Sequence, residues 1–171
     1  VAHPFFSADQ AALFHGDPHA GNMMVSGDGR LALFDWSLAG HLTEAERSAI
    51  VEIALGGISF DGRRIVNTLR QLSIGAFNET ALREIVASRL RLLGRRQWIG
   101  MNWLLGLLDD AVQRANLRLS HDLVLFRKSL LTLDGVVAET SGGDVNVDDV
   151  LTVEFVRRFV TEWPERLLGG F

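Results

Sequence analysis

The sequence predicts a mainly α-helical chain, with one small β-hairpin near its start and about six helices after it. Three observations carry this. Two short apolar runs, Met23-Met24-Val25 and Leu31-Ala32-Leu33-Phe34, bracket the Gly/Asp turn Ser26-Gly27-Asp28-Gly29-Arg30, the pattern of a hairpin. From Thr43 onward apolar residues recur at helical spacing. Capping residues and glycines punctuate that pattern at intervals suited to ordinary helices.

Taken in order, Ser7 to Phe14 reads as the end of a helix, with Ser7 or Asp9 as its cap. His15-Gly16-Asp17-Pro18-His19-Ala20-Gly21-Asn22 is too rich in Gly, Pro and polar side chains to be helical. The hairpin follows, with Asp35-Trp36-Ser37 at its end. Thr43-Glu44-Ala45-Glu46 has the spacing of a capping box, opening a helix to about Leu55. Further helices are expected over Asp61–Ser73, Glu79–Leu93, Gln97–Leu117 and Ser120–Ala138. A last one runs over Val147–Leu167, interrupted near Pro164. Gly75, Gly94 and Ser141-Gly142-Gly143 are the expected terminators.

Composition removes several classes of function. The 171 residues are 47% hydrophobic, enough to bury the core of one domain or one large lobe. The absence of cysteine excludes disulfides, thiol nucleophiles and Cys-ligated metals and fits a reducing, cytoplasmic compartment. A net charge of −4 argues against a general nucleic-acid binder. Apolar stretches such as residues 103–108 fall far short of the ~20 residues of a membrane span. Lys128 is the sole lysine, so any chemistry needing a lysine must use it or recruit one from outside the chain. The chain opens at Val1 and runs at once into a motif, as expected of the later part of a longer polypeptide.

Asp17, Asn22 and Asp35 carry the chemistry. Phosphoryl transfer from a nucleotide needs one carboxylate to position or deprotonate an acceptor hydroxyl. It also needs carboxylate and amide oxygens to hold Mg²⁺ against the phosphates. Asp17 and Asn22 share a loop, and a hairpin returns the chain to its starting edge, bringing Asp35 to the same cleft.

His15-x-Asp17-x-x-x-x-Asn22 with the later Asp35-Trp36-Ser37 resembles the catalytic loop and metal-binding motif of the protein-kinase-like superfamily, with Trp and Ser where that motif has Phe and Gly. The fuller string His-Gly-Asp-Pro-His-Ala-Gly-Asn resembles the H-x-D-x-H-P-G-N loop of the UbiB/AarF group of atypical kinases. Aminoglycoside and choline phosphotransferases carry a similar loop. Two later segments favour the first group. Gly40-His41-Leu42-Thr43-Glu44-Ala45-Glu46-Arg47 resembles its G-x-L-x-x-x-x-R helix start. Phe126 to Val136 resembles its K-x-L-x-x-x-E-G-V helix, with Asp134 in place of Glu.

The resemblance implies that residues 1–171 form the helical C-terminal lobe of a kinase-like domain, with 15–37 as its catalytic and metal-binding segment. Asp17 would be the catalytic proton acceptor and face the nucleotide; Asn22 and Asp35 would bind Mg²⁺-ATP and ligate the metal. His15 would buttress the loop, and His19 and Gly21 would shape it, Gly21 through backbone angles open to glycine. The strand lysine, its helix glutamate partner, the alanine-rich nucleotide loop and the K-x-G-Q segment of the smaller lobe do not occur here; Lys128, deep in the helical region, is a poor substitute. ATP, an acceptor that includes lipids among its candidates, the absent lobe and a peripheral membrane contact are the implied partners. The implied role is in ubiquinone or other prenyl-lipid metabolism. A small-molecule phosphotransferase of the aminoglycoside or choline kinase kind, and a nucleotide-binding pseudokinase, stay open beside it.

Other features have plainer readings. Zinc binding by His15, His19 and Asp17 is conceivable from ligand type, but the spacing fits the kinase loop better. Arg63, Arg64, Arg70, Arg83, Arg89, Arg91, Arg95 and Arg96 read as solvated helix faces, with an anionic lipid or acidic partner as the alternative. Trp98, Met101, Trp103, Leu104, Leu107 and Leu108 read as core, with a membrane-docking surface as the alternative. The acidic run from Glu139 to Glu154 reads as a solvated loop and helix start.

Overall fold

A computed structural model describes residues 11–93, 100–151, 153, 154 and 157. The described chain is mostly helical, with small antiparallel sheets near its start. It divides into two compact units, residues 44–121 and the two segments that flank them.

The flanking unit contains four strands: β1 (Ala11–His15), β2 (Met23–Val25), β3 (Leu31–Leu33) and β4 (Ala39–Thr43). The expected hairpin is β2–β3, with Met23 opposite Leu33 and Val25 opposite Leu31. Its turn needs Gly29 at φ 79°, a conformation glycine adopts without a Cβ penalty. Arg30 Nε donates to Asp28 at 2.6 Å across the same turn.

Ala11–His15 corrects the expected helix end over Ser7–Phe14, of which residues 1–10 lie outside the described residues. The segment is a strand, paired with β4 in an antiparallel register that sets Phe14 opposite Gly40 and His15 opposite Ala39. Ala12 and Phe14 are buried while Ala11 and Leu13 face out, the two-residue period of a strand. The partner that decides this comes later in sequence, so tertiary pairing overrides local helix propensity. Phe14 packs edge-on against Phe126 with ring centroids 5.0 Å apart. Phe126 lies on the long helix His121–Ser141, whose buried residues Leu123, Leu125, Phe126 and Leu130 supply apolar core.

The other unit is a run of four helices, α1 (Glu44–Ile58), α2 (Gly62–Leu72), α3 (Glu79–Leu93) and α4 (Met101–Ala115), each packed on the next; the His121–Ser141 helix is α5. The close crossing of α1 and α2 depends on Gly56, where a Cβ would sit 2.6 Å from Ile65 Cγ1. Asp61 caps α2 by accepting from the Arg64 N–H at 3.0 Å, and α3 has the expected bounds. Helix α4 begins at Met101, and residues 94–99, with the terminator Gly94 and Trp98, lie outside the described residues. It stops at Ala115 instead of Leu117 because Asn116 takes a left-handed conformation, φ 56°, and closes the last turn.

Trp103, Leu104, Leu107 and Leu108 are buried, and Trp103 Nε1 donates to the Arg89 carbonyl at 3.1 Å, so this stripe is core. Among the described arginines, Arg64 pairs with Glu52, Arg70 and Arg83 with Glu79, and Arg89 with Asp110. Gly75, Gly142 and Gly143 all have positive φ, as helix terminators require. Residues 147–151 are helical, and most of the expected helix beyond them lies outside the described residues. No described helix is long and apolar enough to cross a membrane.

Candidate functional site

The site is built on the connection from β1 to β4. Strand β1 ends at His15, and the Gly16 N–H bonds the Leu38 carbonyl at 2.8 Å, holding the start of the loop against the segment that leads into β4. Gly16 is required here: a Cβ would sit 2.9 Å from the Leu38 carbonyl oxygen and 3.0 Å from Leu125 Cδ2. The loop turns at Asp17, whose carbonyl accepts from the His19 N–H at 2.9 Å, and closes in a 3-10 turn over Ala20–Asn22.

His15 is buried and uses both ring nitrogens. Its Nδ1 accepts from the Asp17 N–H at 3.1 Å, which puts the ring proton on Nε2, 2.8 Å from the Phe34 carbonyl. The ring also stands edge-on to Trp36, centroids 4.8 Å apart. With both nitrogens engaged, His15 has none to give a metal, which removes the zinc reading. Among the described residues, no three His, Cys, Asp or Glu side chains gather as a metal cluster.

Asn22 is also buried. Its Nδ2 donates to the Asp17 carbonyl at 3.1 Å, fixing the amide so that Oδ1 is its remaining acceptor. The Asn22 carbonyl accepts from the Phe34 N–H at 2.8 Å. Both polar backbone groups of Phe34 are therefore held by the two ends of the loop, His15 and Asn22. Asp35, the next residue, is thereby tied to the segment that carries Asp17 and Asn22.

Asp35 is exposed, with φ 51°, a left-handed conformation uncommon for a residue with a Cβ. Ser37 holds the Asp35 carboxyl below its ordinary range, first by side-chain hydrogen bonding and then through its N–H, which donates to Oδ1 at 3.2 Å. The serine that replaces the glycine of the kinase motif thus acts directly on the metal-binding candidate.

The donor set of Asn22 and Asp35, an amide oxygen and an ionised carboxylate, fits Mg²⁺. That ion takes hard oxygen ligands, keeps several waters and leaves positions for phosphate oxygens.

Two side chains of α5 join the site, one of them with a local sequence signal. Lys128 on α5 brings its Nζ to 3.5 Å from Asp17 Oδ1, and the neighbouring Ser129 donates its buried hydroxyl to the His15 carbonyl at 2.7 Å. Lys128 is both the sole lysine and the first position of the K-x-L-x-x-x-E-G-V resemblance, signals that mark the residue without placing it beside Asp17. Gly21 is a correction: its φ is not positive, and a Cβ there would meet only the exposed His19 ring, 3.0 Å from its Cε1. His19 is exposed.

Comparison with known proteins points the same way as this geometry. Over 60 residues the chain is 38% identical to an uncharacterized protein of Synechocystis sp., a match covering 35% of the chain and 15% of that protein. Over 95% of the chain it is 22% identical to an uncharacterized protein of Clostridium pasteurianum, encoded in the 5′ region of hydrogenase 1, of which the match covers 32%. Over 72% of the chain it is 25% identical to the chloroplastic protein ACTIVITY OF BC1 COMPLEX KINASE 1 of Arabidopsis thaliana, covering 19% of it. The chain thus spans no more than about a third of the length of these relatives. No solved structure matches it significantly. Residues 5–69, the segment holding Asp17, Asn22 and Asp35, match the ABC1 atypical kinase-like domain.

Proposed function

We propose that this chain is the helical lobe of an atypical kinase or ATPase of the UbiB/AarF type, which uses Mg²⁺-ATP with a smaller, nucleotide-holding lobe that these residues do not include. The observation that carries the reading is the double hold on Phe34 by His15 and Asn22, which ties Asp35 to the Asp17 loop. A kinase-like match over residues 5–69 supports it.

In this mechanism Asp17 orients the acceptor hydroxyl and takes its proton as the oxygen attacks the terminal phosphorus. Its backbone is fixed from both sides, the N–H on His15 Nδ1 and the carbonyl on Asn22 Nδ2. The backbone that carries the carboxylate is thereby held in place, which favours general-base catalysis. Asn22 Oδ1 and Asp35 are the groups that would hold Mg²⁺, which when bound neutralises charge on the phosphates. Ser37 lowers the Asp35 pKa further and so favours the charged form needed for that role. Buried His15 braces the loop through its bonds to the Asp17 N–H and the Phe34 carbonyl.

The acceptor we favour is water or a prenyl lipid. In the full-length protein, ADP release from Mg²⁺-ATP is expected without choline or an aminoglycoside, and is expected to rise with a prenyl-lipid precursor presented in vesicles. Release seen only with choline or an aminoglycoside would assign a small-molecule phosphotransferase. Tight ATP binding with no ADP release under any condition would assign a pseudokinase.

A further inference from the structure

Helix α5 meets the catalytic loop along one face, and the contacts run in register. Leu125 lies against Gly16, with its Cδ2 3.0 Å from where a Cβ would stand. Ser129, four residues on, bonds the His15 carbonyl from a buried position. Lys128 lies on the same face, since residues three and four apart are neighbours on a helix, and its Nζ stands 3.5 Å from Asp17 Oδ1. Leu125 and Ser129 fix the helix against the loop, so Lys128 reaches Asp17 from an anchored backbone. Its own side chain is 54% exposed and that of Asp17 is 34% exposed. An ion pair this open contributes little to stability.

We propose that Lys128 is a catalytic residue whose ammonium, while paired with Asp17, engages the phosphoryl group during transfer. This rests on the kinase reading above. As the acceptor oxygen forms its bond to the terminal phosphorus, the bond from phosphorus to the β,γ-bridging oxygen breaks, and its electron pair departs on ADP. The acceptor proton passes to Asp17. Negative charge spreads over the non-bridging oxygens of the moving group. A group 3.5 Å from Asp17 Oδ1 is close to those oxygens, because Asp17 must itself touch the attacking hydroxyl. An ammonium has three N–H donors; one directed at Asp17 leaves two for phosphoryl oxygens. The same charge reduces repulsion between the Asp17 carboxylate and the incoming phosphates. The sole lysine of the chain thus has a task at the reacting centre.

The test compares the full-length wild-type protein with Lys128→Met and Lys128→Arg. It uses ADP release from Mg²⁺-ATP and thermal stabilisation by ADP with and without aluminium fluoride, a mimic of the transferring phosphoryl group. Lys128→Met is expected to lower kcat about 100-fold, the scale of losing one preorganised donor to transition-state charge. Its affinity for ADP is expected to stay unchanged, the extra stabilisation by aluminium fluoride to disappear, and its melting temperature to hold within about 2 °C. Lys128→Arg is expected to recover part of the activity. A Lys128→Met protein with kcat within about threefold of wild type and the full aluminium fluoride increment would overturn the proposal and leave the kinase reading standing. A wild-type protein that neither releases ADP nor gains stability from Mg²⁺-ATP would overturn both.

Discussion

Asp17→Asn in the full-length protein is expected to lower kcat for ATP turnover by ~10³-fold, within the range spanned by general-base catalysis, while leaving the fold intact. The substitution keeps the size of the side chain and removes the basic oxygen. The contacts that shape the loop survive it, because they run through the backbone: the Asp17 N–H to His15 Nδ1, and the Asp17 carbonyl to Asn22 Nδ2 and the His19 N–H. The ion pair with Lys128 is lost, but both partners are open to water and its stabilising contribution is small. Steady-state ADP release beside a melting curve separates the two effects. A fall in kcat with an unchanged melting temperature is the expected pair. Full activity in Asp17→Asn would remove the proton-accepting role.

The second large effect falls on the fold. Gly40→Ala is expected to destabilise the protein by about 2 kcal/mol, in the range of an overpacked core. A Cβ at Gly40 would stand 2.3 Å from Phe14 Cζ and 2.7 Å from Cε1, on the opposite strand. The ring has little room to retreat, because Phe126 packs edge-on against it. Displacing β4 also disturbs the Leu38 carbonyl that anchors the Gly16 N–H. Activity is therefore expected to fall with stability. Chemical denaturation measures the loss, with Gly27→Ala as the control: that position has open space around it and no positive φ. Equal stability of the two variants would contradict the account of why β4 carries a glycine there.

Much of this was legible from sequence where the signal is local. The hairpin follows from two apolar runs around a Gly/Asp turn, and α3 from an uninterrupted helical period bounded by capping and polar residues. The tie between the Asp17–Asn22 loop and Asp35 is expected because a hairpin returns the chain to its starting edge, and the hold on Phe34 supplies it. Features set by distant partners were not legible. Ala11–His15 has good local helix formers, and only β4 makes it a strand. Lys128 and Ser129 meet the loop because α5 packs there, which no spacing rule links to Asp17. Gly21 looks from sequence like a position of special backbone freedom, whereas its φ is not positive. The early stop of α4 depends on Asn116 entering the left-handed region, which its sequence position permits without demanding.

Asn22 and Asp35 are expected to complete a site for magnesium-bound nucleotide, which thermal stabilisation of the full-length protein by ATP, with and without Mg²⁺, measures. A ligand that binds the folded state at ~100 times its Kd adds about 2.7 kcal/mol of stability, a readily visible rise in melting temperature. The rise is expected for the wild type only when Mg²⁺ is present, and is expected to be lost in Asp35→Asn. A wild-type protein unmoved by Mg²⁺-ATP, or an Asp35→Asn protein stabilised as strongly as wild type, would contradict it.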